Sequence, residues 1–406
     1  MFGVRDADAC MRGLAATGER VYAGPAPPPA FRPVDRYVVL PSLRRPGLLV
    51  PVASRRPAAA AARQFLLLPG GAGRFATEAL AIALRTGLPQ RLSRSRLGVW
   101  VAPDVAAAEL PDLVLRHHLA AELGQADVEL AVRVGATRPN GKPVVQVAEP
   151  GGRVLAYAKV GWNELTRPLV AAEAEALRSI AARAAAPRTF RVARLLHAGE
   201  WQGNTLTVVE PLVGGAPVRS PDPPRDATHE LALGGAVGRE PLGLSGWWFD
   251  ARARIDAAAA DLGPAADAIA AEAGDLMLGF GRGHGDWTPW NMRSLDGRLL
   301  VWDWERSRDG VPVGLDALHY GLLVALNVRK LAPSKAVADT LSRAPAWLGD
   351  LDQPPEAARL MLCLELLEMS LRFAEARRAG VTVRHDRFGA ALHELLDMRP
   401  PPAPVP

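Results

Sequence analysis

The alternation of apolar and polar positions divides the chain into three parts, and the first of them is residues 1–125. It contains short apolar runs at 37–40 and 48–52, and apolar residues with helical spacing at 75–85 and 110–123. A spacing of two predicts strands, and a spacing near 3.6 predicts helices. We therefore expect a small α/β region here, whose role the sequence does not indicate.

A compact antiparallel sheet is predicted for residues 126–213. Asn-Gly and Pro-Gly-Gly turns separate its first three apolar runs, and Asn-Gly readily takes the positive φ of tight hairpins. The predicted elements are strands at 130–134, 144–147 and 154–160, a helix at 169–183, and strands at 190–197 and 205–210.

Helical spacing returns in residues 214–406. An alanine-rich helical region is expected at 251–278, and further helices at 331–396, while the proline-rich end at 400–406 is expected to fray. The predicted class is α+β: a small antiparallel sheet, then a mainly helical region, with the α/β part in front of both.

Composition narrows the classes of function. The chain has 406 residues, a net charge of +5 and two widely separated cysteines without metal-type spacing, which argues against a disulfide framework and a cysteine-based zinc site. Basic residues are scattered and no stacking platform recurs, so we expect no nucleic-acid partner. Without an apolar run long enough for a membrane span, or a signal sequence, we expect no membrane association and a cytoplasmic location. The oligomeric state is not predicted.

Lysine is scarce in this chain. Only four of the 48 basic residues are lysines, because arginine serves at nearly every other position. One of the four, Lys159, closes an apolar strand. A snorkelling surface lysine would fit there, but its rarity favours a specific role.

Carboxylate and amide side chains occur close together in two segments. Residues 281–291 read GRGHGDWTPWN, and residues 299–305 read LLVWDWE. Asp286 lies in a loop rich in glycine and proline, and Asn291 follows five residues later. Asp303 ends an apolar strand that follows an Asp-Gly turn. A hairpin would bring Asn291 and Asp303 together, and carboxylate and amide oxygens are ligands that suit Mg²⁺.

These segments resemble the HGD-x4-N motif, followed by an aspartate at a strand end, of the aminoglycoside phosphotransferase and choline kinase superfamily. The resemblance implies a protein-kinase-like two-lobe fold and a small-molecule kinase that uses ATP and Mg²⁺ to phosphorylate a hydroxyl group. By the same resemblance Asp286 and His284 are the catalytic residues, with His284 bracing the loop rather than acting as a base. Asn291 and Asp303 are then the metal ligands.

Upstream residues fit the same pattern. The resemblance places Lys159 on the nucleotide phosphates, held by a glutamate of the next helix. Glu173 is preferred over Glu175, because the apolar stripe of that helix lies on its face, but both remain open. Glu210 and Leu212 resemble the segment that binds adenine between the lobes, although an ordinary strand end explains them equally well.

The phosphate-binding loop departs from the kinase pattern. Residues 135–142 contain two glycines rather than G-x-G-x-x-G, so backbone N–H groups or the Lys142 ammonium would have to bind the phosphates. An exposed turn lysine explains Lys142 as well. A second glycine-rich stretch, at 66–76, loosely fits a dinucleotide motif. It lacks the later acidic residue, and a proline interrupts its entry.

Residues after Asp303 indicate the kind of acceptor. Trp304 and Glu305 follow directly, and helical spacing resumes near Leu315, which leaves no room for the peptide-docking segment of protein kinases. The acceptor is therefore expected to be a small molecule. Asp316 is expected to cap a helix or brace the loop, and Glu305 is a secondary candidate for the metal.

Two further interpretations remain. The four tryptophans of the segment 287–304 are expected to pack around the loop rather than to stack on an acceptor. The alternative function is a catalytically weak, nucleotide-binding scaffold, with residues 1–125 as an interaction module.

Overall fold

The computed structural model describes residues 13–66, 70–134, 141–183, 185–235, 238–380 and 387–397. The proline-rich end at 400–406 and most of the glycine loop at 135–142 lie outside the described residues. The chain forms two compact units. The first comprises residues 1–174 and 193–211, and the second comprises residues 175–192 and 212–406.

Strands are formed where β-branched and other apolar residues alternate with polar ones. The described strands are β1 (Val21–Gly24), β2 (Arg32–Ser42), β3 (Arg45–Pro51), β4 (Arg96–Val101), β5 (Glu129–Arg133), β6 (Val144–Ala148), β7 (Val154–Gly161), β8 (Phe190–Val192), β9 (Leu195–Trp201), β10 (Asn204–Val209), β11 (Ala216–Pro217), β12 (Gly238–Pro241), β13 (Met277–Gly283), β14 (Met292–Leu295), β15 (Arg298–Val301) and β16 (Arg308–Pro312).

Helices occupy the alanine- and leucine-rich stretches, as the helix propensities of these residues favour. The described α-helices are α1 (Arg55–Phe65), α2 (Gly70–Thr86), α3 (Leu88–Leu92), α4 (Leu110–Leu113), α5 (Leu115–Glu122), α6 (Thr166–Ala181), α7 (Arg225–Ala232), α8 (Gly246–Ala258), α9 (Gly263–Ala273), α10 (Leu315–Leu323), α11 (Pro333–Gly349), α12 (Ala358–Arg378) and α13 (Arg387–Asp397).

The first unit is built on one nine-stranded antiparallel sheet in the order β1-β4-β2-β3-β5-β6-β7-β10-β9. Successive residues of a strand face opposite sides, so Val39 and Leu49 pack in one core with α5. Their neighbours Val38 and Leu48 pack in a second core with α1 and α2. Both faces of the sheet are therefore covered.

This sheet runs through both of the predicted N-terminal parts. Strand β3, from residues 1–125, pairs with β5, from residues 126–213, at Leu48↔Arg133 and Leu49↔Val132. The two parts share one sheet, and the three-part division at 125 and 213 stays a prediction. The predicted α+β class, with an antiparallel sheet followed by a mainly helical region, is confirmed.

The strand predicted at 190–197 is wrong as a single element. Phe190–Val192 forms β8 and pairs in parallel with β15 in the second unit. Leu195–Trp201 forms β9 and pairs with β10 in the first unit. The apolar pattern runs on through both strands, so periodicity alone shows no boundary between them.

The second unit has a helical core and two small sheets. The sheets have the orders β11-β14-β15-β8 and β12-β13-β16. Helices α8 to α13 bury one apolar core, which includes Trp247, Leu322 and Leu366. The helical region predicted at 251–278 is interrupted, because it contains α8, a 3-10 turn, α9 and the start of β13. None of the described helices has the combination of length and apolar composition that crossing a membrane requires.

Candidate active site

The loop that follows β13 carries Asp286. Gly285 turns the backbone there with φ 77°, a conformation that favours glycine. A Cβ on Gly285 would lie 2.6 Å from the carbonyl oxygen of Arg306. The loop therefore packs against the chain after Asp303, and only glycine fits at this contact.

We expect Gly285→Ala to lower the free energy of unfolding by more than the left-handed backbone alone accounts for, which is about 1–3 kcal/mol. The matched control is Gly297→Ala, because Gly297 has φ 78° but no heavy atom within 4 Å of its added Cβ. Urea unfolding of both variants separates backbone strain from the steric clash. Equal losses in the two variants would contradict the contact with Arg306.

The Asp286 carboxylate is held from two sides. Its Oδ2 accepts a hydrogen bond from Asn291 Nδ2 at 2.8 Å, and its Oδ1 lies 3.2 Å from His319 Nε2. The side chain is 32% exposed, so one part of the carboxylate can meet a ligand from solvent. Burial alone would raise its pKa, but His319, His284 and Asn291 outweigh burial and hold the pKa well below its usual value.

His319 is the residue that sequence reasoning missed. It is buried on α10, with Nδ1 2.7 Å from Glu365 Oε1 and Nε2 facing Asp286. Burial alone would lower the pKa of His319, but Glu365 and Asp286 outweigh burial and raise this pKa from 6.5 to about 9. At neutral pH the imidazolium therefore joins two carboxylates. A signal existed in the sequence, since Glu365 lies among leucines of α12, where a buried charge needs a partner.

Asp316 braces the loop that carries Asp286. Its Oδ2 accepts the backbone N–H of His284 at 2.6 Å, and its Oδ1 accepts that of Gly285 at 2.9 Å. The N-cap of α10 is Gly314, and no side chain caps it. Of the two predicted roles for Asp316, the structure shows loop bracing.

His284 is fully buried and positions the loop from inside. Its Nε2 lies 3.2 Å from the carbonyl oxygen of Trp302, and its Nδ1 accepts the backbone N–H of Asp286 at 3.1 Å. Burial lowers its pKa, which favours the neutral ring that these two bonds require. These two contacts hold the loop from inside, and the functional role of His284 stays a prediction.

A hairpin brings the backbone of Asn291 next to that of Asp303. Strands β14 and β15 pair through a turn at Asp296 and Gly297, both with positive φ, and the N–H of Trp302 donates to the carbonyl of Asn291 at 3.2 Å. Asp303 follows in the left-handed region at φ 72° and ψ 50°. Such values are rare outside glycine, and aspartate is among the residues that tolerate them.

The oxygen atoms of this hairpin fit a hard cation. Asn291 Nδ2 donates to both the backbone and the side chain of Asp286, which leaves its Oδ1 as an acceptor. With the Asp303 carboxylate, that oxygen gives the donor set that Mg²⁺ prefers. Glu305 lies in the 3-10 turn directly after Asp303.

A network of buried charges supports the loop. Arg372 donates to the carbonyl of Gly285 at 2.5 Å and to Glu368 at 2.8 Å, and Glu368 also binds Arg254 at 2.8 Å. Burial alone would raise the pKa of Glu368, but the two arginines outweigh burial and lower this pKa from 4.5 to about 2. The loop therefore rests on a network of buried ion pairs and not on apolar packing alone.

Two of the four tryptophans pack beneath the loop. Trp287 and Trp304 are buried at 0% and 1% exposure, and their indole N–H groups donate to Thr228 and Val301. Trp290 is 44% exposed, so core packing does not account for it.

The first unit holds Lys159 against Glu173. Lys159 Nζ lies 2.6 Å from Glu173 Oε2, with side-chain exposures of 18% and 5%. Glu175 is 76% exposed and lies 3.5 Å from Arg178. Of the two glutamates that the sequence left open, Glu173 is the one that pairs with Lys159.

The remaining predicted residues lie in connecting segments. Glu210 follows β10 and its N–H donates to the carbonyl of Arg194, and the chain passes from the first unit to the second between Pro211 and Leu212. Lys142 is half-buried before β6. The roles of Glu210, Leu212 and Lys142 stay predictions.

Comparison with known proteins gives the following. No family model matches this chain, and no curated protein matches it. Among solved structures, a thermostable mutant of aminoglycoside phosphotransferase APH(4)-Ia, in a ternary complex with ADP and hygromycin B, aligns with a TM-score of 0.47 and 14% identity over 70% of this chain and 97% of that one. A putative fructosamine-3-kinase from Haemophilus somnus 129PT aligns with a TM-score of 0.40 and 10% identity over 70% and 95%.

A choline/ethanolamine kinase family protein from Mesorhizobium loti aligns with a TM-score of 0.37 and 15% identity over 63% of this chain and 85% of that one. All three TM-scores lie below 0.5, so these similarities carry no conclusion about what this chain does.

Proposed function

We propose that this chain is an ATP-dependent phosphotransferase that moves the γ-phosphate to a hydroxyl group of a small molecule. The observation that carries the proposal is the bond between Asn291 Nδ2 and Asp286 Oδ2, inside the HGD-x4-N loop. This bond holds the Asp286 carboxylate in place and leaves the amide oxygen of Asn291 as an acceptor that a bound cation would use.

In this mechanism the acceptor oxygen bonds the γ-phosphorus as the bond to the β,γ-bridging oxygen breaks and ADP leaves. Asp286 accepts a hydrogen bond from the acceptor hydroxyl, aims its oxygen at the γ-phosphorus and takes up the hydroxyl proton as the new bond forms. The lowered pKa of Asp286 makes it a weak base, so its main contribution is orientation. This suits phosphoryl transfer, whose loose transition state needs positioning and charge stabilisation more than early proton removal. His284 and Asp316 hold the loop, and therefore the carboxylate, in place.

Asn291 and Asp303 are the residues that would hold Mg²⁺, which neutralises charge on the β- and γ-phosphates when it is bound. Lys159, oriented by Glu173, would bind nucleotide phosphate oxygens. A lysine ammonium is a compact positive charge with N–H donors, which is the chemistry that binds phosphate oxygens. The short connection between Asp303 and α10 supports a small acceptor rather than a protein.

The proposal is tested by measuring Mg²⁺-dependent ADP formation with a panel of sugars, amino alcohols and aminoglycosides. We expect Asp303→Asn to lower kcat/KM by more than about 100-fold, since even residues that only orient a metal ligand change metal affinity by about 10–100-fold. Asparagine tolerates the left-handed backbone at this position, so the variant removes the negative charge and keeps the backbone conformation.

Asp296→Asn is the matched control, because Asp296 also has a positive φ (49°) but lies exposed in the turn of the same hairpin. Its activity should equal that of the wild type. A wild-type protein that binds ATP but shows no turnover with any acceptor of the panel would instead favour the nucleotide-binding scaffold.

A further inference from the structure

Two histidines and a glutamate come together in the first unit, and the proposed phosphotransfer uses none of them. His118 and Glu122 lie on α5, and His197 lies on β9. Their spacing of four residues places His118 and Glu122 on the same face of the helix. The sequence gives no sign of the cluster, because His197 comes from a strand about 75 residues further along the chain.

The potential ligand atoms are already close to one another. One ring nitrogen from each histidine and one carboxylate oxygen of Glu122 lie within 4.8 Å of each other. His197 Nδ1 is 2.8 Å from Glu122 Oε2, and the two imidazole rings stand edge to face with centroids 5.9 Å apart. Zinc bonds of about 2.0–2.1 Å place tetrahedral ligand atoms roughly 3.4 Å apart, so binding needs shifts on the order of 1 Å.

Two polar atoms of this cluster have no protein partner. In the described part of the chain, His118 Nε2 and His197 Nε2 are buried and make no hydrogen bond. Buried polar side-chain atoms nearly always have a partner, so each such atom calls for an explanation. A bound cation would supply a partner to the nitrogens that face it.

The surrounding structure holds the cluster in place. Trp201 Nε1 donates to the carbonyl of Pro111 at 3.0 Å, and Gln202 Nε2 donates to that of Asp112 at 2.6 Å. These bonds fix the β9–β10 hairpin to the segment before α5. The Trp201 ring also lies 5.9 Å from the His118 ring. Ligands on such elements are positioned more accurately than ligands on loops.

One side of the cluster is open to solvent. Glu122 is 37% exposed, which gives an ion and a water molecule a path from solvent.

We propose that His118, Glu122 and His197 bind one Zn²⁺ ion, with water as the fourth ligand. Two imidazole nitrogens and one carboxylate oxygen form a donor set that zinc takes in proteins, whereas Mg²⁺ and Ca²⁺ prefer oxygen alone. The ion links α5 to the β9–β10 hairpin and so stabilises the first unit. This site is independent of the proposed phosphotransfer.

The test is a calorimetric titration of the metal-free full chain with zinc sulfate, with Mg²⁺ in excess to occupy oxygen sites. We expect one zinc per chain, and a weakening of more than about 100-fold in His118→Gln or His197→Gln, which exceeds the usual effect of residues beside a ligand. The matched control is His117→Gln, which removes the neighbouring imidazole of the same helix and should leave the affinity unchanged. Absence of binding, or equal affinity in all three variants, would overturn the proposal.

Two further measurements keep the proposal testable if a histidine variant does not fold. Co²⁺ added to the wild type should give the strong visible absorption of four-coordinate cobalt, whereas the weak spectrum of six-coordinate cobalt would exclude the site. Zinc binding should also survive in Asp303→Asn. Its loss there would place the ion at Asn291 and Asp303 and would refute the His118–Glu122–His197 assignment.

Discussion

Asp286→Asn is expected to lower kcat for acceptor phosphorylation by about 10²–10⁴-fold while nucleotide affinity stays close to that of the wild type. The substitution keeps the size of the side chain and removes its charge. In the wild type one carboxylate oxygen meets His319 and the other meets Asn291 Nδ2, and both of these groups donate hydrogen bonds. The asparagine amide has one oxygen and one NH₂ group. Its NH₂ group must therefore face one of the two donors, His319 or Asn291 Nδ2, and that hydrogen bond is lost.

The measurement is steady-state ADP formation with the best acceptor, together with calorimetric binding of a non-hydrolysable ATP analogue. Asp296→Asn again serves as the control, since it makes the same chemical change in an exposed turn of the same segment. A kcat within about threefold of the wild type would show that Asp286 does not orient the acceptor. An equal loss of nucleotide affinity and kcat would point to a folding defect rather than to catalysis.

His319→Gln is expected to lower the free energy of unfolding by about 3–5 kcal/mol, because removing one partner of a buried ion pair leaves the other charge uncompensated. Here the charge left behind is Glu365, which is fully buried and whose pKa burial already raises. Because Asp286 also loses its imidazolium partner, kcat should fall as well, while KM for ATP changes little.

The loss of stability should depend on pH. The pKa of His319 rises from 6.5 in the unfolded chain to about 9 in the folded protein. A raised folded-state pKa contributes stability that is fully present below pH 6.5 and disappears as the pH rises through about 9. Between these values the folded state binds up to one more proton, so the difference between wild type and His319→Gln should shrink by at most about 1.4 kcal/mol per pH unit.

Urea unfolding from pH 6 to pH 9.5 checks this prediction. His229→Gln is the control, because it makes the same substitution at an exposed position on α7 of the same unit and should leave the free energy of unfolding unchanged. The double variant His319→Gln with Glu365→Gln should recover part of the loss, since it removes both buried charges. A pH-independent difference between wild type and His319→Gln would mean that His319 is neutral in the folded protein.

The segment 284–303 shows how much of the geometry the sequence predicts. Asp286, Asn291 and Asp303 could be proposed together because their spacing is local, and a turn and a hairpin are enough to relate them. The Asp296-Gly297 turn was recognised for the same reason, since those two residues favour positive φ. The resemblance left two glutamates as possible partners of Lys159, and helical periodicity favoured Glu173 over Glu175. The fold shows that Glu173 is the buried partner and that Glu175 is exposed.

The fold assigned the remaining partners. His319 and Glu365 lie 46 residues apart on different helices, and the sequence around either residue does not indicate that the other is its partner. The strand predicted at 190–197 was divided between two sheets because strand pairing depends on distant residues that apolar periodicity does not record.

By itself, the sequence determined the α+β class and the short-range geometry of the HGD-x4-N loop and its hairpin, because backbone propensity, turn chemistry and side-chain periodicity act over a few residues. Only the tertiary structure decided which buried charges meet, that one sheet joins the first two parts of the chain, and that His118, Glu122 and His197 form a cluster. These contacts depend on packing between segments that are distant in the sequence. The free-energy cost of burying a charge depends on the partner that the fold places beside it, and local sequence does not identify that partner.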